Sequence, residues 1–289
     1  MRQLIGRAPL VGATLVAATL AASASHANAQ RDRDEDRGRQ RDDSTFNWTG
    51  RIPAGSWVRV HNLNGGVRVV TGTGDETEVR AEKTWRRGDP RDVRFEVVRD
   101  GSSVVICALW YERSTCDESG MHTRGRNDDE RDRDRGRDWD QNNDVAVEFT
   151  VRLPRGVKVL ANTVNGNIDI RDARAEVEAR SVNGQVEATT STGPVSATTV
   201  NGSVRVQMDA IEGSGDLKFG SVNGSVIVEA PARLDAEVEL STVNGGVRSD
   251  YPITTTGRFS SRHLRGTLGS GGRRLTLTSV NGAVELRKL

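Results

Sequence analysis

The sequence predicts an all-β protein, a parallel β-helix or β-solenoid with about 20 residues and two short strands per coil. One observation behind this prediction is a Ser/Thr-Val-Asn-Gly motif that recurs six times in the C-terminal half of the 289-residue chain. A second is the alternation of apolar and polar residues between the copies. After a looser upstream copy at Asn64, the asparagines of the six copies are Asn165, Asn183, Asn201, Asn223, Asn244 and Asn281.

The spacing of the motif sets the coil length. Successive asparagines lie 18, 18, 22, 21 and 37 residues apart. The last step becomes two ordinary steps if residues 263–266 (His-Leu-Arg-Gly) form a degenerate copy. A fixed period of this size is typical of repeat proteins, in which each unit packs on its neighbours.

Each repeat is expected to contribute two half-buried strands. Apolar and polar residues alternate over 186–188 and again over 195–197, which is the period of a strand. Between the strands lie turns with Gly or Asn, the residues that best tolerate positive φ. The valines expected to face inward are Val182, Val186, Val200, Val204, Val222, Val226, Val243 and Val280.

Two arrangements of these strands fit the pattern. Asn-Gly between alternating apolar residues is a strong hairpin signal, which allows an antiparallel meander. A solenoid is favoured because the Ser/Thr and Val before each Asn-Gly also recur, which a hairpin turn does not require. In a stack of coils these positions are neighbours about 4.8 Å apart, so Asn can bond to Asn, and Thr to Ser, in ladders.

The N-terminus has the pattern of a secretory signal peptide at residues 1–29. Arg2 and Arg7 precede an apolar stretch at 8–22, and Ala27-Asn28-Ala29 forms a small-residue cleavage site. No later apolar stretch is long enough to span a bilayer, so the mature chain is expected to be periplasmic or secreted. With 41 basic and 40 acidic residues, the chain gives no reason to expect a nucleic-acid partner.

The expected solenoid domain spans residues 49–289. Two segments of mixed Arg and Asp, at 30–48 and 123–144, contain too few apolar residues to offset the entropy cost of ordering. We expect the first to be a disordered linker and the second a disordered insertion. Cys107 and Cys116 are the only cysteines, and a local disulfide is expected because a metal or redox pair would need C-x-x-C spacing or further ligands.

With these repeats laid out, the chain resembles the bacterial DUF4097 family of adhesin-like, β-strand-repeat proteins from about Thr49 to Leu289. The resemblance implies right-handed β-helical domains on extracytoplasmic proteins, some linked to envelope sensing, and it brings no catalytic residue set. This sequence departs from the family in its Arg/Asp-rich insertion and in lacking a transmembrane segment, which argues against a membrane-anchored sensor.

No residue set points to catalysis, a cofactor or a metal. The Asn-Gly corners could hydrogen-bond a glycan, but turn and ladder chemistry already explains them. The acidic runs at 32–38 and 130–136 resemble calcium loops, but their glycine comes one residue too late and the terminal Glu is missing. A polysaccharide lyase could use Arg171 with Asp172, or a row of Asp235, Glu237 and Glu239, yet such charges are also expected on exposed strands. The three histidines downstream of the signal peptide are scattered: His61, His122 and His263.

The expected function is therefore that of a non-catalytic envelope or secreted interaction module, with envelope proteins or glycans as partners. A glycan-binding or polysaccharide-cleaving β-helix is the alternative, and a structural spacer is a third. The strand at 283–289 ends the chain and is expected to form an uncapped edge. Arg287 and Lys288 would then act as gatekeepers that keep the protein mainly monomeric, with weak end-to-end association.

Overall fold

The computed structural model describes residues 44–110, 113–123, 143–255 and 260–289, all within the unit Arg41–Leu289. Strands are almost the only regular secondary structure of these residues, the exception being a short 3-10 turn at Pro90–Asp92, so the all-β prediction is confirmed. The expected signal peptide, residues 30–43 of the linker and residues 124–142 of the insertion lie outside the described ranges. Within those ranges, no helix is long and apolar enough to cross a membrane.

The strands before the regular repeats are β1 (Thr45–Gly50), β2 (Trp57–His61), β3 (Val67–Thr71), β4 (Thr77–Thr84), β5 (Arg94–Asp100), β6 (Ser103–Leu109), β7 (Ser114–Asp117), β8 (Gly120–Thr123) and β9 (Ala146–Leu153). The regular repeats supply β10 (Lys158–Asn165), β11 (Ile168–Ala173), β12 (Val177–Asn183), β13 (Val186–Thr190), β14 (Val195–Asn201), β15 (Val204–Met208), β16 (Leu217–Asn223) and β17 (Val226–Ala230). The C-terminal strands are β18 (Ala236–Asn244), β19 (Val247–Ser249), β20 (Thr254–Thr255), β21 (His263–Leu268), β22 (Arg273–Asn281) and β23 (Val284–Lys288).

The described strands form two large sheets and one hairpin. Sheet A has the order β1-β4-β9-β3-β11-β13-β15-β17-β23-β19. Sheet B has the order β20-β21-β18-β22-β16-β14-β12-β10-β2-β6-β5. The separate hairpin pairs β7 with β8.

Each Asn-Gly corner carries the chain from a strand of sheet B to a strand of sheet A. The neighbouring strands belong to successive repeats and run parallel, as in the pairing of β12 with β14, where Asn183 lies opposite Asn201. The Asn-Gly pairs of these repeats therefore do not close antiparallel hairpins. This pairing agrees with the solenoid prediction and contradicts the meander.

The core lies between the inner faces of the two sheets. In the repeats it combines small side chains, such as Val177 and Ala179 from sheet B and Val186 and Ala188 from sheet A, with larger ones such as Phe219, all at most 2% exposed. Burying each valine contributes about 1.5–3 kcal/mol. The core of the N-terminal part contains packed rings, and Phe46 stacks on Phe95 with centroids 4.7 Å apart.

The expectation that the valines of the Val-Asn-Gly motifs face inward is wrong. Among the eight expected inward valines, Val186, Val204 and Val226 are buried. The strand period explains the others, because Val177, Ala179 and Ser181 occupy the inward positions and the next residue must point outward. The motif valines of five copies are 38–56% exposed: Val182, Val200, Val222, Val243 and Val280.

The last coil of the chain does not lie at the end of the stack. Strand β22 pairs in parallel with β16 on one side and with β18 on the other. Strand β23 lies between β17 and β19 in the same way. The C-terminal coil is thus inserted between two coils that precede it in sequence. The expected uncapped edge at 283–289 is wrong, because both edges of β23 are paired.

Arg287 and Lys288 were expected to block pairing at an exposed strand edge, but β23 is paired on both sides and has no such edge. The Arg287 guanidinium bonds to Glu285 at 2.6 Å, and the Lys288 ammonium lies 5.2 Å from the centre of the Tyr251 ring. The proposed degenerate repeat at 263–266 is also wrong, because β21 runs antiparallel to β18.

The ordered domain extends beyond the expected boundaries. Strand β1 begins at Thr45, inside the expected linker 30–48, because the apolar Phe46 is buried in the core. Thr123 ends β8. Asp144 accepts hydrogen bonds from the backbone N–H groups of residues 86–88, the shortest being 2.8 Å from Gly88. Both residues lie within the expected insertion 123–144, so only its interior, 124–142, lies outside the description.

Candidate binding surface

The asparagines of the six motifs form a continuous ladder along the corners. Each side-chain amide donates to the side-chain oxygen of the next asparagine, with Nδ2–Oδ1 distances of 2.7–2.8 Å. The ladder runs in stack order through Asn244, Asn281, Asn223, Asn201, Asn183 and Asn165. Asn64 does not continue it, because its amide donates to the Val145 carbonyl at 3.0 Å.

The Ser or Thr before each Val-Asn-Gly points into the core and is at most 7% exposed. Its hydroxyl donates to the glycine carbonyl of the adjacent coil, as Ser181 does to Gly166 at 2.9 Å. This satisfies a polar group that burial would otherwise penalise. The six donors are Thr163, Ser181, Thr199, Ser221, Thr242 and Ser279. The expected hydroxyl-to-hydroxyl ladder is replaced by these bonds to the backbone.

The glycines of the corners are required by close approach between coils. A Cβ on Gly184 would overlap the carbonyl oxygen of Gly166, and the same holds for Gly202 over Gly184. The six glycines of the regular motifs do not have positive φ, whereas Gly65 in the looser copy has a φ of +111°. Close approach therefore requires glycine at the regular corners, whereas Gly213, in the second turn of its repeat, has the positive φ expected there, at +76°.

Beside the ladder, the exposed valines line up on the outer face of sheet B. We call this set the valine row, and in stack order it comprises Val243, Val280, Val222, Val200, Val182 and the half-exposed Val164. The next outward positions are small on β14, β16 and β22, where Gly220 lies between Thr198 and Thr278, whereas β12 carries Arg180 there. The sequence contains the signal for this row: side chains alternate between the two faces of a strand, so inward positions for Val177 and Ala179 place the motif valine of that strand on the outer face.

The outer face of sheet A has a different character. Its outward positions carry charges of both signs that pair within and across strands. Asp169 contacts Arg171 at 2.8 Å and Arg68 at 3.6 Å. Glu229 contacts Arg287 at 3.6 Å. Such exposed pairs contribute little to stability, and they make this face strongly solvated.

The hairpin β7–β8 covers the other end of the outer face of sheet B. A disulfide joins Cys107 of β6 to Cys116 of β7, with Cα atoms 6.0 Å apart. Val105 and Leu109 are fully buried beneath the hairpin and form a small second core with the two sulfurs. On the outer face of sheet B, the apolar residues of β6 are thus covered, whereas the valine row from β10 to β18 is exposed.

His61 lies beneath this hairpin at its border with the open surface. It is 7% exposed, and its Nδ1 accepts a hydrogen bond from the Asn162 amide at 3.3 Å. Its buried Nε2 has no hydrogen-bond partner among the described residues. Burial, and then the nearby charges of Arg59 and Arg180, lower the pKa of His61 to about 4.

A Ser-His-Asp cluster sits in the turn of the hairpin, and sequence reasoning missed it. Nε2 of His122 lies 2.8 Å from Ser119 Oγ and 3.0 Å from Asp117 Oδ1. A catalytic triad needs the carboxylate on the other ring nitrogen so that Nε2 can take the serine proton. Hydrogen bonds from the Ser119 hydroxyl and backbone N–H lower the pKa of Asp117 to about 2. The cluster therefore has the geometry of a capped turn.

The residues considered for a lyase are not brought together. Arg171 and Asp172 belong to sheet A, whereas Glu237 and Glu239 belong to β18 of sheet B. Asp235 caps the loop after β21 by accepting from the Ser270 N–H at 2.8 Å. No cluster of three or more potential metal ligands occurs among the described residues.

A match to a family model agrees with the family resemblance. Residues 155–287 match the family model described as Toastrack DUF4097. A crystal structure of a putative cell adhesion protein from Clostridium sporogenes aligns with a TM-score of 0.46 and 9% identity, covering 85% of this chain and 100% of that chain. A putative adhesin from Bacteroides fragilis aligns with a TM-score of 0.28 and 10% identity, covering 86% and 99%. No curated protein matches the chain in sequence.

Proposed function

We propose that the protein is a right-handed β-solenoid that acts outside the cytoplasm as a non-catalytic binding module, a role supported by the match of residues 155–287 to the Toastrack DUF4097 family model. Crossovers between parallel strands of one sheet are almost always right-handed, which supports the proposed hand. The Cys107–Cys116 disulfide and the signal-peptide pattern at 1–29 support an oxidising, extracytoplasmic location.

The valine row is the observation that carries the binding role. Its members lie on adjacent parallel strands, so their side chains are about 4.8 Å apart and form a continuous apolar strip. Val243 is 56% exposed. Isolated exposed apolar residues need no explanation, whereas contiguous exposed apolar surface marks interaction sites. Since valine offers no ring to stack on a sugar, a protein partner is favoured over a glycan.

The test replaces three adjacent members of the row with an isosteric polar residue: Val200→Thr, Val222→Thr and Val280→Thr. Threonine keeps a high strand propensity, so the fold should persist, which circular dichroism checks. The matched control is Glu187→Gln with Arg205→Gln on the outer face of sheet A. Immobilised variants are exposed separately to envelope proteins and to protein-free glycans from the cells that make the protein.

We expect the wild type and the sheet A control to retain the same envelope protein, and the valine variant to lose it. Retention of glycan that survives the valine substitutions would favour the glycan-binding alternative. Equal retention of protein by all three chains would refute binding through the valine row.

A further inference from the structure

We propose that Asn244-Gly245 is a site of spontaneous covalent modification, where Asn244 converts to aspartate or isoaspartate. The stack protects the other six Asn-Gly pairs from the same reaction. The proposal concerns the corners of the stack and does not depend on the binding role of the valine row.

The chemistry requires only the chain and water. The backbone nitrogen of the glycine attacks the asparagine Cγ, so an N–Cγ bond forms and the Cγ–Nδ2 bond breaks. The glycine amide proton leaves with the side-chain nitrogen as ammonia. Water then opens the resulting cyclic imide at either carbonyl, which gives aspartate or isoaspartate without any oxidation or reduction. Glycine after asparagine favours this reaction because no side chain hinders the attack.

The stack engages both reacting groups at the protected corners. The Gly184 N–H, for example, donates to the Asn201 carbonyl at 3.0 Å. The side chain that it would attack, that of Asn183, donates to Asn165 at 2.8 Å and accepts from Asn201 at 2.7 Å. Attack there requires these bonds to break first. The glycines whose N–H groups donate to the next coil at 2.7–3.1 Å are Gly65, Gly166, Gly184, Gly202, Gly224 and Gly282.

The corner at Asn244 lies in the last coil of the stack. It differs from the inner corners in the hydrogen bonding of its glycine N–H, in the exposure of that glycine and in the bonds of its asparagine side chain. No carbonyl of the described residues accepts the Gly245 N–H. Gly245 is exposed, whereas the glycines of the other five Val-Asn-Gly motifs are half-buried. The Asn244 side chain donates to Asn281 at 2.8 Å, and the ladder ends there. Val243, next to the site, is the most exposed valine of its row, so water reaches this corner.

Conversion at this site would alter the end of the ladder. Asn244 supplies a donor to the Oδ1 of Asn281, and a carboxylate has no N–H to replace it. Two oxygens would then face each other. Because β18 holds one side of the inserted strand β22, the modified outer coil would hold the C-terminal coil less firmly.

The experiment follows the seven Asn-Gly pairs in one sample. The purified folded chain is incubated at mildly alkaline pH, and peptide mapping by mass spectrometry measures the conversion of each asparagine with time. A second sample is kept unfolded in denaturant, which reports the intrinsic rate of each sequence. Asn64 is the matched internal control, because it also precedes Gly-Gly while the Gly65 N–H is bonded to the Asn165 carbonyl at 2.7 Å.

In the unfolded sample we expect similar rates at Asn64 and Asn244. In the folded sample Asn244 should keep a rate near its unfolded value, and Asn64 and the inner sites should react at least about tenfold more slowly, since local opening must precede attack. Uniform conversion in the folded chain, faster conversion at Asn64 or an inner site, or protection of Asn244 equal to that of the inner sites would overturn the proposal.

Discussion

The repeat stack and the N-terminal part of the domain share the same two sheets but are stabilised differently. In the stack, successive corners repeat one Asn–Asn bond and one hydroxyl-to-carbonyl bond. In the N-terminal part, packed rings lie in the core, antiparallel strands join the parallel ones, and a disulfide fixes a hairpin. Because the coils of the stack repeat in register, the same short motif makes the same contacts in every coil. In the N-terminal part, each position makes a different contact.

The largest effect should come from removing the inserted C-terminal coil. Deletion of residues 273–289 takes away β22 and β23, and leaves β16 separated from β18 and β17 from β19. We expect the C-terminal coils to lose cooperative unfolding and hydrogen-exchange protection, while the N-terminal part keeps its own protection. A synthetic peptide of residues 273–289 should restore the protection. Unchanged protection around β16 and β18 after the deletion would contradict the inserted position.

A single methyl group at a corner should be the next most damaging change. In Gly202→Ala the added Cβ meets the Gly184 carbonyl of the neighbouring coil, and both backbones would have to separate. We expect a loss of about 3 kcal/mol in the free energy of unfolding, measured by chemical denaturation. The matched control is Gly215→Ala, where the new methyl meets nothing within 4 Å. If both variants unfold alike, the corners are not held by close approach.

The N-terminal part should carry a pH dependence that the stack lacks, through His61. Its pKa falls from 6.5 in the unfolded chain to about 4 in the folded protein. Between these values the unfolded chain binds a proton that the folded protein does not, so stability falls as the pH is lowered through this window. The full loss is on the order of 3 kcal/mol.

The groups around His61 that act on this titration are Arg59, Arg180, His122 and Asp117. Denaturation of the wild type and of His61→Gln from pH 7 to pH 4 isolates the contribution of the imidazole. The variant should show a flatter dependence in this range. Parallel curves for the two proteins would show that His61 is not the group responsible.

The smallest predicted effect tests the direction of the asparagine ladder. Asn244 donates at one end, and Asn165 accepts from Asn183 at the other, at 2.8 Å in each bond. Asn244→Asp removes the donor and should cost about 1 kcal/mol. Asn165→Asp keeps an acceptor, so its stability at neutral pH should stay closer to the wild type. Thermal unfolding of the two variants compares them, and a larger loss for Asn165→Asp would reverse the assigned direction.

Much of the repeat stack could be predicted from the sequence, because the motif and the period-two pattern each report a local interaction. The recurrence of Asn183 and Asn201 at the same corner position indicated parallel stacking over hairpins. The outward valines were missed although the information was present, since a polar residue such as Ser181 was not expected to occupy an inward position. Its hydroxyl bond to Gly166 is a tertiary contact that makes this burial acceptable.

The order of the coils could not be predicted. The corner at Asn281 has the same sequence pattern as those at Asn223 and Asn244, so the motif does not encode which neighbour each coil takes. The 37-residue step before Asn281 indicated an irregularity, but it equally suggested a missing repeat. In the N-terminal part, the contact of Phe46 with Phe95 joins residues far apart in sequence and leaves no periodic trace.

Pairwise cysteine substitution of exposed valines tests the stack order and the outward position of the row together. In register, Val280 lies opposite Val222 on one side and opposite Val243 on the other. Under mild oxidation we predict new disulfides in the Val222→Cys/Val280→Cys and Val243→Cys/Val280→Cys chains, since Cα atoms on paired strands lie within disulfide range. The Val222→Cys/Val243→Cys chain should remain reduced at these positions, as mapped by mass spectrometry beside the native Cys107–Cys116 bond. A disulfide between positions 222 and 243, with none involving position 280, would contradict the inserted C-terminal coil.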